Sequence, residues 1–191
     1  MQWPTARTTA EHVGKWAALL LATAAIDGRR LAQAEPLPCE PPGRLVRIVG
    51  KIFNNALNPE ETLGVARARI ARGRTLHCGV HGQAKLSPAG ALEGFIHQLV
   101  CDDRVPVPGS AETIHSQLTL DSHFDGVPAF EPCGMPGVNV SHGSFQEISY
   151  PEAGRGIFST SGGGTVWIRG TLDCAGAINM RFSGKVCLIS R

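Results

Sequence analysis

The chain has 191 residues, 42% of them hydrophobic and 18% charged, with 23 Gly, 13 Pro, 6 Cys and a formal net charge of +2. That length suits one domain with a core of its own. So low a charged fraction beside so much Gly and Pro excludes a coiled coil or a long helical bundle, and the apolar content excludes a wholly disordered chain.

Residues 1–34 have the layout of an export signal. Arg7 and Lys15 lead into an apolar run, Trp16 to Ile26, and Leu31-Ala32-Gln33-Ala34 offers a small-x-small site before Glu35-Pro36. The run has 11 residues, too few to span a bilayer as a helix. Cleavage is expected after Ala34, or nearer Ala25 because Asp27, Arg29 and Arg30 interrupt the approach to the site. What remains, 35–191, is expected to be a single β domain without a transmembrane segment, placed in the periplasm or outside the cell. The signal takes with it Arg7, Lys15, Arg29, Arg30, Glu11 and Asp27, so the remainder holds 14 basic and 14 acidic residues. A polyanion binder generally needs several phosphate-neutralising Lys or Arg, so the neutral domain points to no nucleic-acid partner.

All six cysteines follow the signal, and an even count behind an export signal reads as disulfides in an oxidising compartment. No CxxC pair occurs, which removes the zinc-ribbon and thioredoxin readings.

From Cys39 onward the hydrophobic period is mostly two. Strands are predicted at Leu45–Phe53, Thr75–Leu86, Leu92–Cys101, Ile114–Phe124, Val138–Val140 with Phe145–Ile148, Thr165–Cys174 and Ile178–Ile189. Gly- and Pro-containing turns separate them. Within 114–124, Ile114, Ser116, Leu118, Leu120, Ser122 and Phe124 share a mainly apolar face. His115, Gln117, Thr119, Asp121 and His123 share a polar one. The segment 58–72 suits two states. Asn58-Pro59-Glu60-Glu61 resembles a helix start, while Ala66, Ala68 and Ile70 alternate with Val65, Arg67 and Arg69 as in a strand. Its context favours a helical turn at 58–61 and then a strand. Many short strands with almost no helix predict an antiparallel all-β meander, closing into a small barrel or a sandwich stapled by disulfides.

Two hairpins can be set in register. A turn at Ala89-Gly90 places Cys78 opposite Cys101 and predicts that bridge. A turn at Ala175-Gly176-Ala177 pairs Leu172 with Met180, Gly170 with Phe182, Ile168 with Gly184 and Val166 with Val186. It also sets Cys174 and Cys187 about nine residues apart, beyond the reach of a disulfide. Cys39, Cys133, Cys174 and Cys187 therefore form the other two bridges, in a pairing left open.

The candidate pocket residues are His97, His115, Asp121 and His123, because the polar face of 113–124 could bind a ligand, do acid–base work or chelate an ion. His77 and His81 lie about 13 Å apart on a strand, too far to share a metal. Arg67, Arg69, Arg72 and Arg74 form the one basic cluster. With no aromatic between Phe53 and Phe95, it reads as a solvated strand face. Ser159 to Gly164 opens no helix and so is no phosphate loop. No catalytic set, metal site or cofactor motif is read.

Gly154-Arg155-Gly156-Ile157-Phe158, followed by Gly162-Gly163-Gly164-Thr165-Val166, resembles the G-x-G-x-F turn and following strand of dirigent and allene-oxide-cyclase-like β-barrels. The resemblance implies a small closed barrel with a central cavity, and no catalytic residue carries over. The expected role is binding or structural, with an unknown small molecule or protein as partner. The alternative is a small-barrel enzyme or metal-binding protein using Asp121, His115 or His123 in a cavity.

Overall fold

Alternating apolar and polar residues decide which face of each strand is buried, and the turns decide how the strands follow one another. The computed structural model describes residues 38–189 apart from 59, 71–72, 135–140 and 161. The export signal at 1–34 and the strand expected at 138–140 lie outside the described residues. The strands are β1 (Gly43–Ala56), β2 (Glu61–Ile70), β3 (Thr75–Leu86), β4 (Leu92–Cys101), β5 (Val105–Pro106), β6 (Thr113–Ile114), β7 (Gln117–Phe124), β8 (Ala129–Pro132), β9 (Ser141–Arg155), β10 (Gly164–Leu172) and β11 (Ala177–Ile189). There is no helix among the described residues, hence none long and apolar enough to cross a membrane.

The sheet is antiparallel throughout and runs β10-β11-β1-β2-β3-β4-β7-β9-β8; a further pairing of β9 with β10 closes eight of these strands into a barrel. β9 makes the closure. One edge pairs with β7 and then β8, the other with β10. An eight-stranded barrel has an interior about wide enough for side chains to fill, and these strands fill it. Ile48 and Ile52, Val80, Leu99, Leu118, Leu120, Ile168, Met180, Phe182 and Val186 meet in one buried cluster. Where the resemblance implies a central cavity, side chains occupy the axis.

The Gly154–Val166 segment closes one end. Phe158 turns inward, only 2% exposed, while Ser159 and Gly163 exchange backbone hydrogen bonds with Cys187. Two inward glycines make room for rings: Gly50 stands opposite Phe182 and Gly170 opposite Phe145. A Cβ at either position would come within 2.3 Å of the ring.

Several expectations need correction. The 58–61 turn is not helical. Asn58 Oδ1 accepts from Glu60 N–H at 2.8 Å, and Asn58 Nδ2 donates to Glu61 Oε2 at 2.9 Å, so the asparagine closes a hairpin turn and Glu61 already stands in β2. The predicted strand 114–124 is broken after Ile114. The Asp103 carboxylate accepts from both Ser116 N–H (3.0 Å) and Ser116 Oγ (2.6 Å), leaving Ile114 to pair with Val105 in a separate small hairpin. The alternation within it holds, with Ser116, Leu118, Leu120 and Ser122 buried. The strand predicted to stop at Ile148 continues to Arg155, with a bulge at Glu152, opposite the Thr119–Leu120 step of β7, taking up the irregularity beside Pro151.

The last hairpin keeps the predicted faces but slips by two residues: Leu172 faces Ile178, Gly170 faces Met180, Ile168 faces Phe182 and Val166 faces Gly184. Asp173 causes the slip. Its Oδ1 accepts from Ala175 N–H and Ala177 N–H, both at 2.9 Å, which places Cys174 inside the turn rather than at its base. An even slip preserves which side chains point inward, so the face pattern alone could not detect it.

Cys78 bonds Cys101 as predicted, and the open pairing resolves as Cys39–Cys187 and Cys133–Cys174. No cysteine is free. Cys174 and Cys187 indeed find separate partners.

Candidate functional site

The four residues singled out by the polar pattern go to three places. His97 points into the barrel. Its Nε2 lies 3.0 Å from Glu147 Oε2, the two side chains being 3% and 0% exposed. Phe95 stacks on the imidazole with ring centroids 5.8 Å apart. A buried carboxylate needs a partner, and the histidine supplies it over the inner face of β7, which lies between β4 and β9. Nearby interior polar groups also satisfy one another: Asn54 Nδ2 donates to Thr62 Oγ1 at 3.0 Å, and Ser122 and Ser149 share a hydrogen bond of 2.6 Å. Asn54 Oδ1, His97 Nδ1 and Glu147 Oε1 have no hydrogen-bond partner among the described residues.

Asp121 and His123 stay together on the outer face, joined by a residue the pattern did not nominate. Lys85 donates to Asp121 Oδ1 and, at 3.0 Å, to His123 Nε2. The lysine reaches across because Gly94 stands between it and His123 in register and offers no side chain. His115 lies towards the other end of β7, with Nδ1 2.8 Å from the carbonyl of Cys101. The four do not converge on one cavity. His77 and His81 sit beside separate carboxylates, Asp102 and Glu61, each at 3.7 Å. One further cluster, Cys133, His142 and Cys174, has donor atoms within 4.8 Å of one another, but its two sulfurs are already joined to each other.

A different arrangement emerges across the strands. On the outer face, Arg67 of β2 is the cross-strand neighbour of Lys51 of β1, Lys51 of Arg181 of β11, and Arg181 of Arg169 of β10. Four exposed cations thus stand side by side, spanning about 14 Å at the usual strand spacing. None of them forms an ion pair with a described carboxylate. Lys51, Arg169 and Arg181 line a cleft of about 770 Å³, whose one acidic wall residue is Asp125. Phe53 and Val127 supply apolar wall, and Gln146, next to Arg169 in register, adds an amide.

Like charges directly opposite on neighbouring strands destabilise a sheet. Here three such contacts follow one another. The volume falls within the range of small-molecule sites, and a planar guanidinium suits carboxylate, phosphate or sulfate. Reading along the chain missed this row because its members come from four separate segments, and the aromatic partner absent from 54–94 stands one strand away, as Phe53. A signal was available: 43–56, 164–172 and 177–189 contain Arg44, Arg47, Lys51, Arg169, Arg181 and Lys185 without one carboxylate. The domain's zero net charge conceals this segregation. The Arg67–Arg74 cluster is itself divided, since Arg74 pairs with Asp103 at 3.0 Å while Arg67 joins the row.

Comparison with protein-family models, with curated proteins and with solved structures finds no match to this chain.

Proposed function

We propose that this protein is an exported, disulfide-stapled binding barrel that takes an anionic ligand on its outer face. The row Arg67–Lys51–Arg181–Arg169 over the cleft carries the reading. Four cations with no counter-ion among the described residues, stacked against their mutual repulsion, are accounted for by an anion that joins them on binding. Lys51, Arg169 and Arg181 hold the charged group, and Phe53 with Val127 covers an apolar part of the ligand. Export to the periplasm or beyond is supported by the bonding of all six cysteines and by the pattern of 1–34.

The test is titration of the full chain with anilinonaphthalene sulfonate, an aromatic sulfonate. Saturable binding that weakens with salt is expected, and Arg169→Glu with Arg181→Glu should lower the affinity by roughly tenfold or more, about 1.4 kcal/mol. Binding that is absent, or unmoved by the double charge reversal in a variant with native circular dichroism, would refute the reading.

A further inference from the structure

The cleft is the upper half of a longer track on β1, β11 and β10. Two residues along each strand from the cationic row comes a row of Val49, Ser183 and Trp167, the tryptophan 50% exposed. Two residues further, Arg47 and Lys185 are cross-strand neighbours. With Trp167 and Leu45 they line a second cleft of about 510 Å³, which has no carboxylate in its wall. Along β1, β11 and β10 the outer face therefore alternates: Phe53, a row of cations, Trp167, a pair of cations, Leu45; Arg69 of β2, opposite Val49, flanks the middle row. At about 3.3 Å per residue, successive rows are about 6.6 Å apart and the two cationic rows about 13 Å apart.

We propose that the occupant of this track is an acidic polysaccharide whose carboxylate or sulfate groups are separated by an uncharged sugar; this rests on the anion-site reading above. Such a chain lying along the strands brings one anionic group to each cationic row. It lays the flat C–H face of the intervening sugar on the indole of Trp167. The arginine forks grip carboxylate or sulfate oxygens in pairs, and the indole contributes apolar area with a fixed orientation. Nucleic acid fits the spacing poorly. A duplex presents one charge per about 1.7 Å of axis, and a single strand asks for successive stacking platforms. The track offers cationic rows about 13 Å apart with a single aromatic between them.

The experiment compares, by calorimetry on the full chain, a hyaluronan octasaccharide (a carboxylate on every second sugar), glucuronate alone and an oligothymidylate of similar length. The octasaccharide should bind roughly tenfold or more tightly than glucuronate, and Arg47→Glu with Lys185→Glu should remove that gain. Trp167→Ala should reduce it about threefold. Glucuronate or arylsulfonate binding with no gain from chain length overturns the polysaccharide and leaves the anion site standing. No binding by the octasaccharide, by glucuronate or by the arylsulfonate overturns both readings. Tighter binding of oligothymidylate than of octasaccharide overturns the polysaccharide in favour of nucleic acid. Far-ultraviolet circular dichroism of each variant separates lost binding from lost folding.

Discussion

At the scale of single residues, the barrel's interior contains two kinds of exception to apolar filling. Gly50 and Gly170 are one kind. Each gives up its side chain so that a phenylalanine on the next strand can lie over it, which lets a narrow lumen accept rings as large as those of Phe182 and Phe145. Buried polar pairs are the other: Asn54–Thr62, Ser122–Ser149 and His97–Glu147. Removing one partner of a buried hydrogen-bonded pair leaves the other unsatisfied, so Glu147→Ala should lower stability by about 1–3 kcal/mol in urea denaturation. Replacing both with apolar residues of similar volume, His97→Phe with Glu147→Leu, should recover most of that loss. A single variant as stable as wild type would show that the pair is not the closed, desolvated contact described. The pattern of the sequence could nominate His97 but not place it, because its partner Glu147 lies 50 positions away. In the polar-face reading it stood beside Asp121 and His123, with which it shares no contact; the parity of β4 turns it inward while theirs turns them outward.

At the scale of elements, the strands β1, β10 and β11 act as a unit, since β11 lies between the other two and the outer residues of all three are in register. Their cations carry the binding reading and also oppose the fold. Lys51→Glu converts two like-charge contacts, with Arg67 and Arg181, into opposite-charge ones. It should raise stability by about 0.5–1 kcal/mol while weakening arylsulfonate binding. A rise in the urea midpoint together with loss of binding is the expected result, and a fall in both would show that Lys51 is held by contacts other than those across the strands. The hairpin between β10 and β11 shows how far pattern alone can go. Alternation set the inward residues correctly, yet the two-residue slip followed from the Asp173 carboxylate binding two backbone N–H groups in the turn. In the hairpin between β3 and β4 the turn, closed by Ser87 Oγ accepting from Ala91 N–H at 3.0 Å, sets Leu86 opposite Leu92, and a one-residue register shift at Lys85/Leu86 then brings Cys78 opposite Cys101 as the sequence indicated.

At the scale of the whole molecule, three bridges pin distant parts of the barrel. Cys39–Cys187 closes a separation of 148 residues, against 41 for Cys133–Cys174 and 23 for Cys78–Cys101. In the chain-entropy account the longest loop stabilises most: about 5 kcal/mol for the first bridge and about 3 for the last. Thermal melts of Cys39→Ala with Cys187→Ala and of Cys78→Ala with Cys101→Ala should therefore show the larger loss in the first. The reverse order would mean that the buried Cys78–Cys101 pair contributes through packing rather than through chain constraint. Alternation, turn residues and cysteine parity determined from the sequence alone that this is an antiparallel, disulfide-bonded all-β domain, because those features depend on neighbours two to ten residues away. Only the tertiary structure decided that the sheet closes at β9–β10, that its lumen is filled, and that cations from four segments stand in one row. Each of those depends on strands meeting sideways, and cross-strand register brings together residues whose separation along the chain gives no hint of it.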